Sequence, residues 1–482
     1  MNTNSTGISL GASTASPGQR GAAGLQLGGL QCLADRASYR QAGTQELRCC
    51  SVAVSKVVSR ENIESWGEDS PKLLLYRRAL ERMQSISNAA LMDERGYQWC
   101  AGVHGGFGGQ PFCHHGDDHF LTWHRPYLLD YELKLRAQIA EIADEATAEE
   151  WRLPYWDWSD PATKGLPSAF TEPTYVDGGS TKPNPLLSRP YQLPYDPEVK
   201  PSDVTWRAPK PLPELQALRA LVDAALRETA FHDFSTAIEQ PHNKVHTWVR
   251  GFMGTYRSAF DPVFWAHHAN IDRFFWKWQQ DGGHMSSIPQ EVRDLPCQPF
   301  NFKDIRAEAF FDTRALGYTY SIARQLVLNS DVRALAADSP LAPHQFDFAA
   351  PPARYTQARI NVHGVRHPER NCELRFFVDR DEAVSVQTSQ TAAAGFLGSY
   401  LLLGHGACPG APGHCDPDLQ IGEGLRPPHH LAPFDIFIDI TATLQAHGDE
   451  RLKALLIVID DIDGDQLPTA TVQFDNVTLT FR

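Results

Sequence analysis

Nine of the chain's 19 histidines fall in two short stretches. The first stretch holds His104, His114, His115, His119 and His124; the second holds His242, His246, His267 and His268. A single histidine is ordinarily a surface residue or a hydrogen-bonded core residue, so spacing has to carry any stronger case. His242 and His246 are four apart, which on a helix sets both imidazoles on one face, a turn apart, able to share a metal. His268 stands among Phe264, Trp265, Phe274, Phe275 and Trp276, on a helix that must be buried. A buried imidazole needs a partner, and a metal supplies one. His124 opens a further helix, His115 precedes it in a loop, and His104 lies in GYQWCAGVHGG. Six neutral imidazoles with no thiolate or carboxylate among them suit copper or zinc. Three per ion leave a coordination position open. Zinc accepts that set with water, but only copper adds redox chemistry.

Helices must position these groups. PKLLLYRRALERMQSIS (Pro71–Ser87) spaces its apolar residues at three and four, the amphipathic period. A second helix is expected to begin at Pro126, because proline suits the first helical position. A third should run from Pro241 to just before Gly251. A fourth should run from Pro262 to about Gln280 behind an Asp261 cap. Residues 151–215, rich in Pro and Gly, read as long ordered loops. The expected fold is a mainly α core over residues 58–335, an antiparallel four-helix bundle with long loops. Residues 1–57, with Cys32, Cys49 and Cys50, read as a partly disordered extension, and 336–354 as an Ala/Pro-rich linker. Beyond it, ARINVHGV, CELRFFVD, FLGSYLLLG, FDIFIDIT, ALLIVIDD and ATVQFDNVTLTF are short β-branched and aromatic runs between turns. They predict an antiparallel β-sandwich-like domain over 355–482. DIDGD (Asp461–Asp465) looks like a calcium loop, but its glycine comes fourth rather than sixth and no Glu closes it, so a hairpin turn is expected.

Composition narrows the partners. A net charge of −14 argues against nucleic acid and anionic membrane as electrostatic partners. No apolar run approaches the roughly 18 residues of a membrane-spanning helix. Nine cysteines are too few for a disulfide scaffold in a chain this long. The first basic residue is Arg20, so no charged region precedes an apolar one at the start. The expectation is a cytoplasmic location rather than secretion.

CHHGDDHFLTWHRPYLLDYE, LPYWDW, HNKVHTWVRG and FDPVFWAHHANIDRFFWKW resemble the two copper-binding signatures of tyrosinases and polyphenol oxidases, the type 3 dicopper proteins. The resemblance spans about residues 58–345 and keeps both signatures in order. It implies two copper ions and O2 as co-substrate. One copper would be held by His104, His115 and His124, the other by His242, His246 and His268. The pattern gives no ligand role to His267 and prefers His115 to its neighbours His114 and His119. Cys113, two before His115, matches relatives in which the cysteine sulfur is joined to the histidine ring as a thioether. Glu239 and Asn243 would hold the water that deprotonates a phenol. Asp272, four after His268, is the expected acceptor for a ligand imidazole N–H. Thr255, thirteen before His268, stands where some relatives place a bulky residue over one copper, so a small residue there would leave that copper open to substrate.

The C-terminal runs are similar to the β-domain that follows the catalytic core in many polyphenol oxidases, a domain that can cover the site. Phe396–Cys415 is the expected cover. Its His405, Cys408, His414 and Cys415 read as a copper-passing group or, alternatively, a surface loop with a Cys408–Cys415 bridge. His429 and His430 read as structural. The implied function is copper-dependent oxidation of a small phenolic substrate: ortho-hydroxylation of monophenols and oxidation of o-diphenols to o-quinones. A catechol or o-aminophenol oxidase without hydroxylase activity is the alternative, and a hemocyanin-like oxygen carrier the more distant one. No nucleic-acid or membrane partner is expected; a homo-oligomer is compatible with the sequence.

Overall fold

The computed structural model describes residues 56–105, 113–192, 203–280, 284–297, 305–320, 344–346, 355–378, 395–404, 433–446, 455–461, 472–474 and 476–481. The bulk of the extension over 1–57, together with His405, Cys408, His414, Cys415, His429, His430 and the turn after Asp461, lies outside them.

Five long helices carry the first unit: α1 (Pro71–Ala89), α2 (Tyr97–Gly105), α3 (Phe120–Ile142), α4 (Phe231–Val249) and α5 (Val263–Gln279). Helix α1 starts at Pro71 and buries Leu73, Tyr76, Leu80 and Met83, the stripe its spacing requires. Helix α5 starts at Val263, with Pro262 rather than Asp261 at its N-cap position, and Asp261 Oδ1 accepts from the Val263 N–H at 3.0 Å.

Two helices begin earlier than their prolines suggested. Pro126 lies inside α3 and Pro241 inside α4. An interior proline removes one hydrogen bond and crowds the preceding turn, at a cost of about 3 kcal/mol. In α4 the turns ahead of Pro241 bury Phe231, Phe234 and Ile238. Phe234 stacks on Trp278 of α5 at 4.8 Å, and Phe231 meets the same ring at 6.0 Å. Burying each such side chain is worth roughly 1.5–3 kcal/mol, so packing outweighs the proline. In α3 side chains hold the turn before Pro126. Asp117 Oδ1 accepts from the His119 N–H at 2.8 Å, and the Phe120 carbonyl lies 2.7 Å from His124 Nδ1.

Helix α3 packs against both α1 and α5. Tyr131 of α3 stacks on Trp265 of α5 at 3.6 Å. A buried ionic knot ties the same helices to a parallel pair of short strands, β1 (Val58–Arg60) and β2 (Tyr318–Tyr320). Asp272 on α5 takes Arg125 Nε at 2.5 Å, Arg60 Nη1 at 3.1 Å, and the hydroxyls of Tyr318 and Tyr320 at 2.8 and 2.6 Å. Arg60 also donates to Glu132 of α3 at 2.9 Å and lies 3.8 Å from the Tyr318 ring centroid. Though burial opposes ionisation, the two guanidiniums hold the Asp272 carboxyl below its ordinary range.

The second unit is built from β3 (His344–Phe346), β4 (Ala358–Val365), β5 (Cys372–Val378), β6 (Phe396–Leu402), β7 (Phe434–Asp439), β8 (Leu455–Asp461) and β9 (Asn476–Phe481). They form two sheets, ordered β3-β8-β5-β6 and β9-β4-β7, with every pairing antiparallel. Ile360, Val362, Leu374, Phe376, Leu397 and Ile436 share a core separate from that of the helices. Strand β3 falls inside the stretch expected as linker. Its three residues are too few to show a period, and it forms by pairing with Leu455–Ile457 at a sheet edge. Among the described residues no helix is long and apolar enough to cross a membrane.

Asp272→Ala leaves the buried Arg125 guanidinium without its carboxylate and takes one of two carboxylates from Arg60, and should lower the unfolding free energy by about 3–5 kcal/mol. Tyr320→Phe removes one hydroxyl from the same knot and should cost only about 1 kcal/mol. Urea midpoints of the full chain check both; an unshifted midpoint for Asp272→Ala would remove the knot from the scaffold.

Candidate metal centre

Helix α4 presents His242 and His246 inward, and α5 brings His268 to meet them. The three Nε2 atoms form a small triangle with sides of 3.0, 3.2 and 3.4 Å. His246 Nδ1 faces the Met253 carbonyl at 2.7 Å, which fixes the proton there and leaves Nε2 a lone pair. His242 Nδ1 does the same with Asn243 Oδ1 at 2.8 Å. Burial lowers all three pKa values, with His246 down to about 4, so the rings are neutral near pH 7. Neutral lone pairs this close repel one another unless a cation lies among them. A triangle of that size also matches metal–imidazole bonds of about 2.0–2.1 Å.

The first group is similar. Ring centroids of His104, His115 and His124 are 5.8, 6.0 and 5.6 Å apart. His124 Nε2 is buried without a hydrogen-bond partner, while its Nδ1 faces the Phe120 carbonyl. His104 Nδ1 faces the Tyr256 carbonyl at 3.2 Å. The two groups confront each other: His124 stacks on His268 at 4.4 Å, and His115 lies 5.3 Å from His242. The structure thus brings together all six imidazoles singled out in the sequence. The rivals are turned elsewhere, His114 Nδ1 to Asp117 at 2.7 Å and His119 to Thr122 Oγ1 at 2.5 Å and the Pro296 carbonyl at 3.3 Å.

His267 is a surprise. It stacks on His242 at 5.0 Å and belongs to the second group, whose candidate ligand atoms lie within 4.8 Å of one another. Both of its ring nitrogens are buried without a hydrogen bond. Adjacent histidines on a helix point about 100° apart. His267 flanks the triangle instead of completing it. Cys113 lies with the first group, its Sγ 3.0 Å from His115 Nδ1 and 3.9 Å from Nε2. Burial pushes this thiol well above its usual range, which disfavours the thiolate a metal would need.

One expectation fails here. Asp272 accepts no imidazole N–H, because two arginines and two tyrosines occupy its carboxylate. Backbone carbonyls of Phe120, Met253 and Tyr256 take that role. Thr255 is exposed, with its hydroxyl on the Phe252 carbonyl at 3.0 Å, and it does not screen either group. Aromatics that do sit against the site include Phe264, 4.8 Å from His104 and 4.2 Å from His268, and Phe120, 5.1 Å from His124.

The turn after α4 supplies two of those carbonyls. Arg250 and Gly251 both adopt left-handed backbone, with φ of 61° and 56°. A Cβ on Gly251 would lie 2.1 Å from the Trp206 carbonyl oxygen, so only glycine fits. The Arg-Gly pair at the end of α4 was the signal in sequence for this device.

Glu239 and Asn243 share a face of α4 and line one recess with His115, Tyr400, Leu402 and Phe434. Glu239 Oε1 accepts from the Gly116 N–H at 2.7 Å, steadying the loop after His115. Asn243 orients His242 with its oxygen and donates its amide N–H to the Leu401 carbonyl of β6 at 2.9 Å. Gly116 has φ 69°, and a Cβ there would meet Phe434 at 2.8 Å, so β7 closes directly over this loop.

Gly251→Ala should displace the Met253 and Tyr256 carbonyls and weaken copper retention about 10–100-fold, as loss of outer hydrogen bonds to metal-bound histidines does elsewhere. Thr255→Ala should leave retention unchanged. Copper titration of the full chain in competition with a chelator checks both.

The family profile described as the common central domain of tyrosinase matches residues 94–281. A tyrosinase from Neurospora crassa is 26% identical over 344 residues, covering 51% of this chain and 49% of its own length. The chain therefore spans about half of that relative. A tyrosinase from Streptomyces glaucescens is 31% identical over 231 residues, covering 41% of this chain and 80% of its own length. An oxygen-bound pro-tyrosinase variant from Aspergillus oryzae superposes with a TM-score of 0.60 at 19% identity, over 91% of this chain and 97% of that one. A functional unit of octopus hemocyanin superposes at 0.57 and 20% identity, over 88% and 99%. The donor set, with two facing groups of buried neutral imidazoles, fits the dinuclear copper site of this family. The chain belongs to the tyrosinase family of type 3 copper proteins.

Proposed function

We propose that the chain oxidises small phenols with O2, hydroxylating monophenols at the ortho position and converting o-diphenols to o-quinones. The observation that carries this reading is the recess beside His115, which places a carboxylate and an amide at the edge of the paired imidazoles. Copper at the six histidines would supply O2 activation. The remaining work falls to side chains. Phe264 against His104 and His268, and Phe120 4.9 Å from His242, keep the surroundings apolar and water-poor. Glu239 and Asn243, one turn apart, are placed to hold a water that takes the phenolic proton. In the covered state Leu401 uses the Asn243 amide, so that water needs β6 to lift. A thioether from Cys113 would lock the His115 ring and remove its rotamer freedom.

The β-domain acts as the cover, through the described part of Phe396–Cys415. Tyr400 and Leu402 reach the recess from β6, and Phe434 reaches it from β7. An oxygen-carrier reading draws support from the likeness to the hemocyanin unit.

Oxygen uptake by the copper-loaded chain, before and after limited proteolysis, separates these readings. Uptake with both a monophenol and a catechol, faster after cleavage, is expected. Catechol turnover alone would reduce the enzyme to an oxidase. Reversible oxygen binding with neither phenol consumed would favour the carrier.

A further inference from the structure

The β-domain grips α4 along a row beside the recess. The Ser399 carbonyl accepts from Gln240, and the Leu401 carbonyl accepts from Asn243 at 2.9 Å. Glu373 Oε1 lies 2.5 Å from Lys244 Nζ, and Ser399 Oγ lies 3.2 Å from it. Gln240 and Lys244 are four apart and share one helix face; Glu239 and Asn243, each one residue earlier, share the adjoining face that lines the recess. Lys244 therefore stands on the rim, next to the residue that orients His242.

Both partners of the Lys244 ammonium come from the β-domain. Glu373 is largely buried, and a buried carboxylate has to be paired. Besides Lys244 it accepts from Ser399 Oγ at 2.7 Å and from Arg375 Nε at 3.1 Å. These partners hold its carboxyl far below the usual carboxylate range. Lys210 and Arg250 of the helical unit add positive charge near the same spot, with Glu214 offsetting part of it. When the β-domain lifts to admit substrate, Glu373 and Ser399 leave together, and a cationic rim is left beside the recess.

We propose that Lys244 then binds a carboxylate on the substrate's tail, and that Glu373 stands in for that carboxylate while the site is covered. The preferred substrates are phenols and catechols bearing an aliphatic carboxylate. This rests on the phenol-oxidation reading above.

The test uses the copper-loaded full chain with 3,4-dihydroxyphenylpropionate and its uncharged amide, which share ring and tail length. The ratio of their kcat/KM values does not depend on how often the cover opens, because both meet the same open fraction. Wild type should favour the acid by about tenfold, the size of one charge-assisted hydrogen bond. Lys244→Met should bring the ratio near unity through a higher KM for the acid, and Lys244→Arg should retain the preference. If wild type and Lys244→Met oxidise both compounds with the same ratio, the carboxylate role is overturned while the oxidase reading stands. If no form oxidises either compound even after limited proteolysis, the oxidase reading falls first and takes this one with it.

Discussion

Two neutral nitrogens 3.0 Å apart in a dry interior repel each other, and His242 and His246 are held in that arrangement. A scaffold that keeps such lone pairs together must be stiff, must keep the rings uncharged, and must have somewhere else for their protons. Each requirement has a visible answer. Burial lowers the imidazole pKa values. Backbone carbonyls at Phe120, Met253 and Tyr256 and the Asn243 side chain take the Nδ1 side. The knot at Asp272 joins α3, which carries His124, to α5, which carries His268. A buried ion pair often adds little net stability against a hydrophobic substitute. Here it fixes the relative position of two helices whose ligands must meet, a demand that generic packing would satisfy only loosely.

Helix α4 does three jobs on three faces, because successive residues turn by about 100°. His242 and His246 face the metal groups, Glu239 and Asn243 face the recess, and Gln240 and Lys244 face the β-domain. Seating the β-domain and shaping the recess are thus mechanically one event. Asn243 couples them most directly: one end of its side chain orients His242, and the other end holds the Leu401 carbonyl of the β-domain.

Features governed by local spacing were legible in the sequence. The i, i+4 histidines, the stripe of α1 and the β-branched runs appeared where their periods put them. Features decided by contacts distant in the chain were not. Asp272 sits one turn from His268, which suggested a partner for it, but its partners arrive from 147 and 212 residues away. Pro126 and Pro241 looked like helix starts because the aromatic contacts that sustain the preceding turns come from other helices. Strand β3 has no pattern of its own and exists only as a partner of β8.

The character of the contact between the two units bears on whether the site turns over or only stores oxygen. A permanent shield is expected to resemble a domain core cut in half, largely apolar. Tyr400, Leu402 and Phe434 do supply an apolar centre over the recess. Around it the contact is charged. Arg359 reaches Glu228 and Asp233 at 2.6 and 3.0 Å, Lys244 reaches Glu373, and Asn371 donates to the Gly254 carbonyl. Charged groups of this kind can be rehydrated when surfaces part, so separation costs less than for an oily face of equal area. A small plug with a hydratable rim fits the proposed role of a cover that leaves to admit a phenol, where a carrier would need to exclude one.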